Sequence, residues 1–219
     1  MVLGFPQTMS TASLDRRARR RRQTIDEILD AALRLMEAEG VAALSLSAVA
    51  REVGMQPPSL YQYFASKMAI YDALFRRGAE QFLAARREAE RTADTDDLLE
   101  LDLIYLTAVS RWAMANPVYS QLLFWRTVPG FEPSPEAFAP ALEVMQELRD
   151  HLRAAVDAGR LHPDAATEDG VALYTSMMAG VLSQQLANEP DATFEQGRFT
   201  RLLPVVLEMF HQRFAPPRG

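Results

Sequence analysis

Between residues 45 and 67 the chain gathers Ser45, Ser47, Gln56, Pro57, Ser59, Tyr61, Tyr63 and Lys67. A block of arginines, Arg16, Arg17, Arg19, Arg20, Arg21 and Arg22, stands upstream of them. Hydroxyls, an amide, phenols and cations are the groups that bind phosphate oxygens and base edges. Acid–base and covalent catalysis find less to work with. The three histidines, His151, His162 and His211, are far apart in sequence, and there is no HExxH pair, no GxSxG elbow and no glycine loop to cradle phosphate. His151 falls on a charged helix face and His162 in a turn before Pro163, so both are expected to be solvated. Cysteine is absent, which removes disulfides, thiol catalysis and thiolate metal sites in one step. No enzyme activity, cofactor or metal site is expected.

The elements that must position these groups are helices. From Gln23 to Glu39 apolar residues fall at Ile25, Ile28, Leu29, Ala32, Leu35 and Met36, the stripe of an amphipathic helix that Gly40 stops. A short second helix starts at Ser45 or Ser47, buries Val49, Ala50 and Val53, and ends at Gly54. A third opens on Pro57-Pro58, which a helix accepts only in its first turn. The second proline shifts the expected start of that helix by one residue. Two helices this short, joined by Gly54-Met55-Gln56, have the spacing of a helix-turn-helix.

Within it, Leu60 and Phe64 are expected to face the core. Tyr61 and Tyr63, two apart on one helix, cannot share that face. Tyr61 is read as a DNA contact, and Tyr63 fits either side. The free N–H groups at the starts of the second and third helices suit phosphate beside Ser45, Ser47 and Ser59. Ser66 reads as the cap of a long fourth helix through Ile70, Tyr71, Leu74, Phe75 and Phe82 to about Arg91. Residues 1–22 are expected to form a mobile basic arm, with Arg19, Arg20 and Arg22 reaching phosphate or the minor groove.

The 219 residues suffice for two domains, read as a helix-turn-helix domain over 23–70 and a larger helical domain over 71–219. Further helices are expected at 96–115, 117–127, 135–159, 165–188 and 196–213, and no alternating strand pattern occurs, so the fold class is all-α. The net charge of −6 is unevenly spread: residues 1–91 carry +3 and residues 92–219 carry −9. A basic front on an acidic body fits a protein that offers one end to phosphate. No window approaches the roughly 18 apolar residues of a membrane span, and no signal peptide is visible, which implies a cytoplasmic protein.

Taken in order, Ile28-Leu29-Asp30-Ala31-Ala32, Gly40, Ser45-Leu46-Ser47-Ala48-Val49-Ala50, Gly54-Met55, Ser59-Leu60-Tyr61-Gln62-Tyr63-Phe64 and Ser66-Lys67 resemble the DNA-binding domain of the TetR family. Met55 stands where that family generally has Val. The resemblance implies DNA-backbone contacts by Tyr61 and Lys67, and a homodimer on a palindromic operator, paired through the last two helices. On this chain those helices carry Tyr174, Met178, Val181, Leu182, Gln185, Leu202, Val206, Met209 and Phe210. It also implies a cavity for a small apolar inducer, expected near Trp112, Tyr119, Phe124, Trp125, Met177 and Met178. Inducer binding would tilt the fourth helix and release DNA from a repressor of its own or a neighbouring operon. The alternative is a helix-turn-helix regulator with no small-molecule effector, partnered by a protein or acting as an activator.

Overall fold

The computed structural model describes residues 11–216, with side chains from Asp15 onward. Among the described residues there are nine α-helices and no strand. Internal contacts divide the chain into two compact units, with the boundary after Ile70.

The first unit contains α1 (Thr11–Glu39), α2 (Leu46–Glu52), α3 (Pro57–Leu60) and the opening residues of α4 (Lys67–Thr92). Its core is the apolar stripe of α1, with Ile28, Ala31, Ala32 and Met36 all but inaccessible, closed by Val49, Ala50, Leu60, Phe64 and Ile70. Fully burying a side chain such as Ile28 or Leu60 contributes about 1.5–3 kcal/mol, which is what holds segments as short as α2 and α3. Their ends are specified locally. Ser45 caps α2 by accepting from the Ala48 N–H at 3.2 Å, and Ser66 caps α4 by accepting from Ala69 N–H at 3.2 Å. Gly54 turns the chain between α2 and α3 at φ 68°, a left-handed conformation that a Cβ would strain. Met55 N–H then donates to the Ala50 carbonyl at 2.8 Å. α3 begins at Pro57 itself, not a residue later, so the bias against helical geometry before Pro58 is overridden; Gln56 is extended at φ −73°, ψ 141°, the conformation a residue preceding proline prefers.

The start of α1 departs from the sequence reading. Residues 11–22, expected as part of a mobile arm, continue α1, while residues 1–10 lie outside the described residues. Arginine and alanine are strong helix formers and need no apolar stripe when the helix face is solvated.

The second unit contains the rest of α4, then α5 (Leu98–Ala115), α6 (Pro117–Phe124), α7 (Pro135–Asp157), α8 (Glu168–Asn188) and α9 (Leu203–Arg213). Caps again set the starts: Asp97 for α5, Ser134 for α7 and Thr167 for α8 each accept a backbone N–H three residues on. The last helix starts at Leu203 rather than 196, because Pro204 is tolerated only in a first turn. The residues before it are turns tied to the α8 side chain Gln185, which accepts from the N–H groups of Phe199 at 3.0 Å and Thr200 at 3.4 Å. The core runs through Leu152, Tyr174, Met178, Leu203, Leu207 and Phe210.

Candidate DNA interface and ligand cavity

On the first unit the polar residues singled out in the sequence stand outside its core. Ser45, Ser47, Gln56, Pro57, Ser59, Tyr61 and Lys67 are all exposed, at the start of α2, around α3 and at the start of α4. Among the described residues of this unit, Tyr61 is the large apolar side chain left open, at 56% exposure. Nothing in the fold requires that phenol at the surface. Gln56 makes no capping bond with its side chain, so its amide is free of the turn.

Tyr63 has a different post. It is half-buried, with the Arg21 guanidinium 5.0 Å above its ring, and Arg21 also donates to the Gln62 carbonyl at 3.1 Å. One arginine of the basic run thus fastens α1 to the turn after α3, while Arg19, Arg20 and Arg22 are exposed on α1.

In the second unit a cavity of about 370 Å³ opens among α4, α5, α6, α7 and α8. Such a volume lies near the lower end of the roughly 300–1,000 Å³ usual for small-molecule sites. Most of its wall is apolar, with Phe75, Phe82, Phe124, Trp125, Phe138 and Met178 among the residues that line it. Of the six residues expected there, Phe124, Trp125 and Met178 line the cavity, and Trp112, Tyr119 and Met177 do not. Trp112 stacks on Tyr119 with ring centroids 6.1 Å apart and meets Phe82 edge-on. Tyr119 lies over Gly78, where any Cβ would come within 2.7 Å of its ring. Met177 packs onto the core cluster beside α9. A helix turns by 100° per residue, so adjacent Met177 and Met178 take different sides.

One side of the cavity is polar, and the sequence reading missed it. Arg86, Tyr105, Ser110, His151 and Tyr174 reach its wall. Behind His151, the fully buried Asp102 of α5 offers one carboxylate oxygen to His151 Nε2 of α7 at 2.5 Å and the other to His211 Nε2 of α9 at 2.8 Å. Burial pulls the Asp102 carboxyl upward, but the two histidine hydrogen bonds outweigh it and hold the group below the ordinary aspartate range. His151 and His211 are therefore structural partners rather than solvated, and three helices meet on one carboxylate. Arg86 of α4 donates through Nη1 to Glu147 at 2.6 Å and to Glu90 at 3.3 Å, with its guanidinium 5.0 Å from the Tyr105 ring. Sequence held one signal for this cluster: Asp102 sits within the apolar run Leu98–Leu106, on the stripe of Leu98 and Leu106.

The residues expected at a dimer face divide as well. Gln185 and Phe210 have no exposure at all, and Tyr174, Met178, Val181 and Leu182 are buried inside their own chain. They are core: α8 turns its face toward α5, α7 and α9, and Phe210 of α9 packs against Tyr174 with ring centroids 5.1 Å apart. Val206 is half-buried, while Leu202 and Met209 are exposed at 43% and 57%. Exposed with them are Leu173 and Val205, and Gly180, one heptad after Leu173 on α8, would meet nothing with an added Cβ.

Comparison with known proteins bears on both units. Residues 28–74 match the family model described as bacterial regulatory proteins, tetR family, and residues 105–205 match a tetracyclin repressor-like C-terminal domain. The chain belongs to the tetR family. It is 29% identical over 166 residues to the HTH-type transcriptional regulator Rv1816 of Mycobacterium tuberculosis, spanning 72% of this chain and 69% of that one. It is 34% identical over 74 residues to the HTH-type transcriptional repressor DrrR1 of Streptomyces coeruleorubidus, spanning 34% of this chain and 25% of the relative. Among solved structures, the regulatory protein SCO4313 superposes with a TM-score of 0.71 at 27% identity, over 88% of this chain and 97% of its own. As a tetR-family member the chain is a DNA-binding transcription regulator with an N-terminal helix-turn-helix and a helical C-terminal domain. No helix among the described residues is long and apolar enough to cross a membrane.

Proposed function

We propose that this regulator is a homodimeric, ligand-responsive repressor that binds a palindromic operator and leaves it when a small, mainly apolar molecule fills the cavity of the second unit. The observation that carries this reading is that cavity, whose lining includes Phe75, Ala79, Phe82 and Arg86 of α4, the helix that begins at Lys67 beside the DNA-binding residues. A ligand that prefers one position of α4 over another changes the setting of the helix-turn-helix. A coupling of about 1–3 kcal/mol changes operator occupancy appreciably. The two recognition elements of a dimer must sit roughly 34 Å apart to enter successive major grooves, so a small rotation is enough.

In this reading Tyr61, Ser59, Gln56 and Lys67 supply base and phosphate contacts, with Ser45, Ser47 and Pro57 beside them and Arg19, Arg20 and Arg22 adding phosphate contacts from α1. Dimerisation is favoured because one helix-turn-helix reads too little DNA, and a two-fold protein matches a palindrome. Leu173, Leu202, Val205 and Met209 form the face that a second copy would cover, since exposed apolar side chains gathered on two neighbouring helices mark interaction surfaces. Repression is supported by the likeness to DrrR1, a transcriptional repressor.

Binding of the purified protein to its own upstream DNA at two salt concentrations, beside a Tyr61→Ala, Lys67→Ala variant, tests the reading. Selective, salt-sensitive binding that the variant loses is the expected result. Equal, unselective binding by both proteins to that DNA and to duplexes selected from a random pool would refute the interface.

A further inference from the structure

The polar side of the cavity tells what kind of molecule it takes. Of the residues that line it, Arg86 is the fixed cation, and no Asp or Glu reaches the wall. That cation already faces carboxylates. Arg86 holds Glu147 and Glu90 through Nη1 alone, and His151 is bound to Asp102. A ligand carboxylate placed here would enter a site where the Arg86 cation is already matched and would face the charges of Glu147, Glu90 and Asp102. A ligand ammonium would meet the Arg86 guanidinium instead.

Donors remain. The hydrogen bonds of Arg86 leave Nε and Nη2 unused. The Tyr105, Tyr174 and Ser110 hydroxyls make no hydrogen bond to protein among the described residues, yet no enclosed side-chain oxygen lacks a partner, so these hydroxyls are open toward the cavity they line. All three residues are more than nine-tenths buried. Both phenols remain protonated donors, because burial pushes them up and Asp102 adds to the push against Arg86. The indole N–H of Trp125 donates to the Ser183 hydroxyl at 3.2 Å, and Thr175 donates to the Val171 carbonyl, so the Trp125 and Thr175 donors are already engaged.

We infer that the cavity selects an uncharged, largely apolar molecule, aromatic or alkyl in its body, that carries a carbonyl-type acceptor at one end to meet Tyr105, Tyr174 and Arg86. The inference rests on the ligand-cavity reading proposed above and narrows it to one chemical class. A site with buried donors rejects an analogue lacking the acceptor, because the donors are then left dry and unpaired.

Four probes of one shape separate the possibilities: benzylacetone, hydrocinnamic acid, the matching phenylpropylamine and butylbenzene. Each is titrated into the full-length protein at neutral pH, with thermal stability and tryptophan fluorescence as readouts, Trp125 lying in the wall. Benzylacetone is expected to bind about tenfold more tightly than butylbenzene and than either charged analogue. In a Tyr105→Phe, Tyr174→Phe variant the advantage of the ketone over the hydrocarbon should shrink severalfold; because this is a ratio within one protein, a change in the variant's stability does not imitate it. Tighter binding of the acid or the amine, or no preference for the ketone over butylbenzene, would overturn the inference and leave the cavity reading standing. Silence from all four probes would overturn both.

Discussion

The two units of this chain handle polarity in opposite ways. In the first, the core is apolar and the polar groups proposed to meet DNA stand outside, with Tyr61 half open to solvent and Ser59, Gln56 and Lys67 exposed as well. In the second, Arg86, Asp102, Ser110, Ser120, Gln185 and Thr200 are buried, and every buried polar or charged side chain found among the described residues belongs to this unit. An outward-facing polar group meets a partner that arrives from solution. An inward-facing one must first be satisfied by the fold, and its chemistry toward a ligand is whatever remains. Substitutions at the outward-facing groups of the first unit are therefore expected to cost little stability, while those at the inward-facing groups of the second disturb its folding.

Substitutions can sharpen that contrast. The largest effect is expected from Asp102→Ala, which leaves His151 and His211 facing a cavity inside the second unit. A loss of about 3–5 kcal/mol is predicted from urea unfolding. The same carboxylate sets a pH dependence. Its folded pKa is depressed, so the unfolded state binds the proton more readily; the stabilisation is complete above the ordinary aspartate range and is lost as pH falls through the folded value. Unfolding free energy should thus fall more steeply with acid in the wild type than in Asp102→Asn, and parallel curves would show that another group is responsible.

Gln185→Leu comes next. Its amide oxygen accepts from Phe199 and Thr200 N–H groups and its amide nitrogen donates to the Glu189 carbonyl, so an apolar replacement strands backbone groups at a cost of about 1–3 kcal/mol. In the first unit Ser45→Ala removes one helix cap and should cost about 1 kcal/mol, read from the thermal midpoint. Tyr61→Ala should change stability by no more than about 0.5 kcal/mol while weakening DNA binding. A large stability loss at Tyr61 would break the division between an outward-facing and an inward-facing unit.

Legibility from sequence follows the same line. The helix-turn-helix could be read because its signals are local: Ser45 as a cap, Gly54 at a positive φ, two prolines opening α3, and Leu60 and Phe64 on one face of a short segment. Arg21 escaped, because its partner, Gln62, lies 41 residues away. In the second unit the helices were legible and their faces were not. Tyr174, Gln185 and Phe210 have the pattern of an interface stripe, and that pattern is equally the pattern of a core. The number of sides on which a helix meets neighbours decides between them, and α8 meets several.

The sequence by itself determined that the chain is helical, that it divides into a small front and a larger body, and which short segment forms the helix-turn-helix, because caps, prolines, glycines and apolar periods act over a few residues. Only the tertiary structure decided where the cavity lies, which aromatics line it, and that Asp102 joins His151 and His211 across 49 and 109 residues of chain. Burial and the pairing of charges are properties of packed neighbours, and no local spacing encodes which neighbours a helix will meet.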